Sequence, residues 1–160
     1  MKTLLIPTDF KLSCLPALHR LLQQYQPNRV NIILVHMLKI TDSIQELMML
    51  SRRSSEYRMI SDEFHQACAL LKQSYPQIAD MRLEFFYGST LAVFNNFLEA
   101  NSVDNIVMFE NYKYHQLAKN SIPPSLLVNR AQVPIVKVSC LPLEVQATTP
   151  PDATLIDEIL

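Results

Sequence analysis

The sequence predicts a single α/β domain with a five-stranded parallel sheet and helices on both faces. Two observations lead to this prediction. Along residues 1–140, short apolar runs alternate with longer amphipathic segments in the order β-α-β-α-β-α-β-α-β, and strands that alternate with helices form parallel sheets with right-handed crossovers. The chain has 160 residues, of which 49% are hydrophobic, which is enough for one ordinary core but not for two.

The first strand is predicted at residues 3–7, an apolar run typical of a strand buried on both faces. We expect Ser13 to cap the following helix, in which Pro16 is tolerated because it falls in the first turn. That helix is predicted to end at Pro27. A second buried strand is predicted at residues 30–37.

In the middle of the chain, the sequence predicts two further helices before the third strand. A short, Met-rich helix is predicted at residues 44–50, and a longer amphipathic helix is predicted to begin at Ser54 or Ser55. Residues 81–87 show an alternating pattern that suits a half-exposed strand. Thr90 is predicted to cap the helix that follows.

The last part of the domain predicts a fourth strand at residues 105–109, a short helix at 125–130 and a fifth strand at 133–138. An aromatic and polar stretch separates the fourth strand from the short helix. Residues 141–160 contain four acidic residues, no basic residue and three prolines. Because proline interrupts regular structure, we expect this segment to be an acidic tail, which could be disordered or could dock on a partner subunit through its apolar end.

Composition and charge exclude several classes of protein. With 14 basic and 15 acidic side chains, the net charge of −1 argues against an electrostatic nucleic-acid binder. No apolar run approaches the length of a membrane span, and the four histidines show no metal-ligand spacing. The three cysteines, Cys14, Cys68 and Cys140, form no CxxC pair, and no signal peptide is recognised, so a reduced, cytoplasmic setting is expected.

Gly88 is the only glycine of the chain. A P-loop or a dinucleotide fingerprint needs at least two glycines, because backbone amides must approach phosphate closely. Neither motif is therefore present in standard form. We expect Gly88 to occupy the backbone position that most needs a positive φ angle.

The candidate site lies at the carboxyl ends of the strands, where parallel sheets bind their ligands. Asp9 could contact a ligand there, or it could close a local turn through backbone hydrogen bonds. His36 could move protons, or it could be a hydrogen-bonded structural residue. The residues that this placement selects are Thr8, Asp9, His36, Gly88, Phe109 and Glu110.

These segments resemble the universal stress protein family. Leu-Leu-Ile-Pro-Thr-Asp-Phe at residues 4–10 and Ile-Ile-Leu-Val-His-Met at residues 32–37 are similar to the family's first two strands. Phe-Phe-Tyr-Gly at residues 85–88 is similar to its third strand and glycine. Asn-Ile-Val-Met at residues 105–108 and Val-Pro-Ile-Val-Lys-Val at residues 133–138 are similar to its last two strands. The resemblance covers residues 2–138 and implies the family's Rossmann-like layers.

The resemblance also implies a degenerate nucleotide site. Family members that hold ATP use an acid after the first strand, matched here by Asp9, and a Gly-x-x-Gly followed further on by Gly-Ser or Gly-Thr. Phe109 and Tyr112 stand in place of the first two glycines, and Asn120-Ser121 best matches the last pair. Because this bulk lies where the triphosphate would pass, the resemblance implies the branch that does not bind ATP.

We therefore predict a non-enzymatic, stress-associated protein that uses no cofactor and acts through dimerisation and an unidentified protein partner. The aromatic cluster formed by Phe109, Tyr112, Tyr114 and His115 is expected to fill the ancestral pocket, although a base could instead stack on it. One alternative is an ATP-binding protein with slow hydrolysis that uses Asp9 and Ser121. Another is a small-molecule sensor whose pocket is lined by the aromatic cluster.

A homodimer is expected through the last strand. The resemblance implies that two copies pair their last strands around an axis, and Val133, Ile135 and Val138 would carry the contact. Pairing would also cover an apolar edge strand, which otherwise invites aggregation.

Overall fold

The computed structural model describes residues 1–24, 28–39, 60–117 and 121–139. Within these ranges, five strands alternate with helices, as the sequence predicts. The strands are β1 (Lys2–Pro7), β2 (Val30–Leu38), β3 (Ile78–Tyr87), β4 (Asn105–Glu110) and β5 (Ile135–Ser139). The helices are α1 (Leu15–Gln24), α2 (Asp62–Ser74), α3 (Leu91–Ala100) and α4 (Ser125–Val128).

All five strands pair in parallel, in the order β3-β2-β1-β4-β5. The chain builds the sheet outward from β1 to β3, returns to the other side of β1 with β4, and finishes at the edge with β5. The order of the strands therefore reverses between β1 and β4, which is where open α/β sheets bind their ligands. The predicted parallel sheet is confirmed. The order of its strands also shows which strand ends are neighbours.

Two apolar clusters fill the space between the sheet and its helices. One contains Leu18 of α1 and Phe64 of α2, packed against Leu4 and Ile6 of β1. The other contains side chains of α3 and α4 packed against alternate residues of the same strands, such as Leu5. Because successive strand residues point to opposite faces, a strand covered on both faces is apolar throughout. The predicted helices on both faces are confirmed.

Two of the predicted helix starts are wrong. Ser13 lies within a 3₁₀ turn at Leu12–Cys14, and its Oγ atom lies 3.0 Å from the Tyr112 hydroxyl instead of capping α1. Helix α2 begins after Ser61, whose hydroxyl accepts a hydrogen bond of 3.1 Å from the Phe64 amide, so the helix that contains Phe64 starts later than predicted; residues 54 and 55 themselves lie outside the described residues. The first prediction fails because Ser13 forms a tertiary contact, and the second fails because Ser61 is a nearer cap.

The Thr90 cap is confirmed, because the Thr90 hydroxyl accepts a hydrogen bond of 3.3 Å from the amide of Val93. The expectation for Gly88 is wrong, because its φ angle is not positive. Space around Gly88 is tight: a Cβ atom would lie 3.0 Å from Val93 Cγ1 and 3.1 Å from Phe86 Cζ, so these side chains would have to shift slightly to admit it. Among the described residues, positive φ angles of 55°, 53° and 58° belong instead to Phe10, Ser102 and Asn111.

The remaining differences are at the ends of elements. Strand β3 begins three residues earlier than predicted, at Ile78, while β5 begins at Ile135 and α4 ends at Val128. The predicted helix at residues 44–50, Asn120, Cys140 and the tail at residues 141–160 lie outside the described residues. Within the described ranges, none of the helices has the length and apolar character that a bilayer crossing requires. The same ranges contain no group of three His, Cys, Asp or Glu side chains placed to hold a metal ion.

Candidate functional site

A cavity of about 360 Å³ opens at the carboxyl ends of β1, β2 and β4, beside the point where the strand order reverses. Four of the predicted site residues line it: Thr8, His36, Tyr112 and Ser121. The rest of its wall comes from one residue each of β2 and β4 and from the segments after β4 and around α4. These additional residues are Met37, Met108, Tyr114, His115, Gln116, Ile122, Pro123, Pro124 and Ser125.

Asp9 is fully buried and is held behind the cavity wall by two of the lining residues. The Tyr112 hydroxyl donates to its carboxylate, with distances of 2.7 Å to Oδ1 and 2.8 Å to Oδ2. His115 donates twice to Oδ2, from its backbone amide at 2.8 Å and from Nδ1 at 2.7 Å. The Lys11 amide donates to Oδ1 at 3.2 Å, which closes the turn after β1. Both carboxylate oxygens are therefore occupied by donors from the chain itself.

Asp9 is held as an anion although it is buried. Burial alone would raise the pKa of the Asp9 carboxyl. The hydrogen bonds from the backbone and ring of His115, from Tyr112 and from the Lys11 amide outweigh burial and lower the pKa below its ordinary value of 3.8. The site therefore contains a fixed negative charge that is fully hydrogen-bonded at neutral pH.

Tyr112 is held as a neutral phenol. Burial raises the pKa of its hydroxyl, and the adjacent charge of Asp9 raises it further, while the hydrogen bond with Ser13 lowers it by less. The hydroxyl therefore keeps its proton and remains a donor to Asp9. Ser13, which was predicted to be a helix cap, instead supports this contact from the turn before α1.

His36 bridges the ends of β1 and the segment before α4. Its Nδ1 atom lies 2.8 Å from the carbonyl oxygen of Thr8, and its Nε2 atom lies 2.7 Å from Ser121 Oγ. Burial lowers the pKa of the imidazole below 6.5, although the hydrogen bond to Thr8 and the charge of Asp9 act in the opposite direction. His36 is therefore neutral at neutral pH.

Ser121 is positioned by backbone pairing with the end of β2. It forms an isolated antiparallel bridge with Leu38, and the next amide, that of Ile122, donates to the Met37 carbonyl at 3.0 Å. The Leu117 amide donates to Ser121 Oγ at 3.2 Å. These contacts fix the hydroxyl beside His36, so two residues that are 85 positions apart in sequence share one wall of the cavity.

The aromatic cluster lies between this cavity and the core. Phe109 is only 5% exposed and stacks on Tyr114, with ring centroids 6.4 Å apart and planes 11° apart. Tyr112 packs edge-on against both rings, at centroid distances of 5.8 Å and 5.0 Å. Such edge-to-face and stacked pairs add to the stability that burial supplies. The cluster therefore covers Asp9 and leaves an open space beside Tyr114.

Some of the residues that the sequence predicts for the site line the cavity, and others do not. Gly88 and Phe109 do not line the cavity, and the exposed Glu110 does not line it either. His115 is the main partner of Asp9, but the sequence suggests it only as a member of the aromatic cluster. The missing information is the position of β4 next to β1, which brings the segment after β4 over Asp9.

Solved structures with the same fold include universal stress proteins. The chain is 15% identical to the hypothetical protein PH0823, with 88% of this chain and 97% of that chain covered and a TM-score of 0.55. It is 14% identical to the universal stress protein UspA from Lactobacillus plantarum, with 86% and 97% covered and a TM-score of 0.50. No protein-family model matches the chain, and a sequence comparison with curated proteins finds no match.

The structure and these comparisons define the class of the protein at the level of its fold. It is an α/β protein with a five-stranded parallel sheet in the universal stress protein fold, and its cavity lies at the reversal point of that sheet.

Proposed function

We propose that this protein is a relative of universal stress proteins that does not use ATP. In this proposal it is a cytoplasmic, homodimeric protein that acts through contacts with a protein partner and has no catalytic role toward nucleotides. The observation that supports the proposal is the complete occupation of Asp9 by Tyr112, His115 and the Lys11 amide.

Asp9 is the residue that the resemblance places against the nucleotide. Here the carboxylate is fully buried, and a nucleotide could reach it only by displacing Tyr112 and His115. Displacement would leave buried polar groups without partners, at a cost of about 1–3 kcal/mol for each group. Tyr112 also occupies a position that is glycine in the family's ATP-binding pattern. Both effects weaken nucleotide binding at this site.

Titration calorimetry with Mg-ATP tests this proposal. The nucleotide-free wild-type protein is expected to give no binding heat, and no adenine nucleotide is expected to co-purify with it by mass spectrometry. Tyr112→Gly removes the phenol that covers Asp9, so it is the variant in which weak ATP binding should appear. Glu110→Gly is the matched control, since Glu110 is exposed and does not line the cavity. Micromolar binding by the wild type that Asp9→Ala abolishes would overturn the proposal.

The cavity supports a second candidate function, the sensing of a small molecule. Its volume of about 360 Å³ falls at the lower end of the range of ligand pockets, roughly 300–1,000 Å³. The described lining residues include no Asp, Glu, Lys or Arg, so the ligand would be uncharged and partly aromatic. A thermal-shift screen of neutral aromatic metabolites, repeated on Tyr114→Ala, separates a sensor from a protein that responds to none of them.

A further inference from the structure

We propose that Ser121 and His36 form a nucleophile–base pair that is acylated by small, neutral aryl esters entering the cavity. This chemistry goes beyond the function proposed above, which concerns ATP, dimerisation and protein contacts. Its reacting groups, Ser121 and His36, are not the occupied Asp9 carboxylate on which the ATP proposal rests, and its test contains no nucleotide, so the two proposals succeed or fail separately.

The geometry assigns a role to each nitrogen of His36. A carbonyl oxygen can only accept, so the 2.8 Å contact with Thr8 places the proton on Nδ1. In the neutral ring Nε2 is then an acceptor, and the Ser121 hydroxyl donates to it at 2.7 Å. This is the arrangement that an activated serine requires: a hydroxyl donating to a base that a third group orients from its far side. Here the third group is the backbone carbonyl of Thr8.

The surroundings keep His36 ready to accept a proton. The ring is only 5% exposed, and burial lowers the pKa of the imidazole, so the ring is neutral at neutral pH. The nearby charge of Asp9 favours the protonated form and would stabilise the imidazolium that forms during the reaction. The Leu117 amide donates to Ser121 Oγ at 3.2 Å and would stabilise negative charge on that oxygen as it loses its proton.

The reactive pair is accessible from the cavity and is positioned by hydrogen bonds. Both residues line the cavity of about 360 Å³, together with the aromatic ring of Tyr114 and the apolar side chains of Met108 and Ile122. The backbone bridge between Ser121 and β2 holds the hydroxyl at the base. A neutral aryl group with a short acyl chain matches this size and polarity, since the described lining residues include no Asp, Glu, Lys or Arg.

The proposed reaction balances with water as the only co-reactant. Ser121 Oγ forms a bond to the ester carbonyl carbon while its proton passes to His36 Nε2. The bond between that carbon and the aryl oxygen then breaks, and His36 returns the proton to the departing phenol. The product is an ester on Ser121, which water hydrolyses in a second step, with His36 taking the proton of the water and returning it to Ser121.

The test uses the full chain and p-nitrophenyl acetate, in the absence of nucleotide. We expect release of p-nitrophenol with the addition of one acetyl group per chain, and peptide mapping should place that group on Ser121. Ser121→Ala should lose this label. His36→Gln should slow the labelling of Ser121 by about a hundredfold or more, since a positioned base contributes roughly that factor. Ser74→Ala is the matched control, because Ser74 is exposed at the end of α2, does not line the cavity and should leave the rate unchanged.

Two results would overturn the proposal. One is acetylation of the folded wild type that is spread over lysines, tyrosines or the amino terminus with Ser121 unlabelled. The other is an unchanged rate of Ser121 labelling in a His36→Gln variant whose circular dichroism matches the wild type. If that variant does not fold, a fluorophosphonate probe on the wild type decides the question, because it modifies activated serines: absence of the probe from Ser121 would contradict the proposal.

Discussion

Asp9 and His36 lie at the ends of adjacent strands, and their surroundings hold them in opposite charge states. Hydrogen bonds from four donor groups outweigh the burial of Asp9 and keep it ionised. Burial outweighs the favourable charge of Asp9 at His36 and keeps the imidazole neutral. Hydrogen-bond donors therefore keep Asp9 charged, whereas burial keeps His36 uncharged.

The neutral state of His36 predicts a pH dependence of stability. Because the native pKa lies below the ordinary value of 6.5, the unfolded chain binds more protons than the native protein between those two values. Stability is therefore full above about pH 6.5 and falls as the pH drops towards the native pKa of His36, by at most about 1.4 kcal/mol per pH unit.

The test is to measure the free energy of unfolding in urea at about pH 7.5 and about pH 5.5, in the wild type and in His36→Gln. The wild type should lose more stability than the variant on acidification. NMR titration of the His36 ring gives the pKa directly, and a value at or above the ordinary 6.5 would contradict the argument. The low pKa of Asp9 also makes stability fall on acidification, but only below its ordinary value of 3.8. It therefore does not affect the comparison between these two pH values.

The individual elements show what a sequence does and does not reveal. The apolar runs predict strands β1 and β2 correctly, because a strand that is buried on both faces has apolar residues at consecutive positions. The start of α1 is not predicted correctly, because the Ser13 side chain forms a hydrogen bond with Tyr112, which is 99 positions away in sequence. The position of Asp9 followed from the end of β1, but its partner His115 did not, because that contact depends on the sheet order. Local patterns are therefore recoverable, and contacts set by topology are not.

The end of helix α3 contains a position where a stabilising change is expected. The Val103 amide donates to the Leu98 carbonyl at 3.0 Å and the Ser102 amide donates to the Glu99 carbonyl at 3.1 Å, which is the pattern of a Schellman motif. Ser102 has a φ angle of 53°, in the left-handed region that usually requires glycine. Ser102→Gly should therefore raise the free energy of unfolding by about 1 kcal/mol, because the Cβ atom no longer strains this conformation.

Thermal or urea unfolding of the variant measures this gain. Ser102→Ala is the control, because alanine keeps the Cβ atom and should show no stabilisation. A Ser102→Gly variant that is less stable than the wild type would mean that the serine side chain stabilises the motif by more than the backbone strain costs.

The sheet as a whole has two edges, β3 and β5, and β5 is the edge that the resemblance assigns to the dimer. Val138 is only 2% exposed and belongs to the protein's own core, so its side chain is not available to a partner. Val133 and Ile135 are half-buried, and Lys137 is exposed. The dimer contact therefore remains a prediction that rests on the outward backbone of β5 and on the first two of these side chains.

The geometry of the β4–β5 pair supplies a variant that separates dimerisation from folding. The Ile106 amide donates to the Pro134 carbonyl at 3.0 Å, so in a parallel ladder the amides of residues 135 and 137 point away from β4, towards the open edge of the sheet. Lys137→Pro removes one outward donor and leaves the pairing with β4 intact, as proline is tolerated on an edge strand. Light scattering at micromolar concentration should give twice the chain mass of 18.4 kDa for the wild type and for Lys137→Ala, and the single-chain mass for Lys137→Pro. A wild type that scatters only as an 18.4 kDa species would exclude the dimer, and a Lys137→Pro variant that remains dimeric would place the interface on another surface.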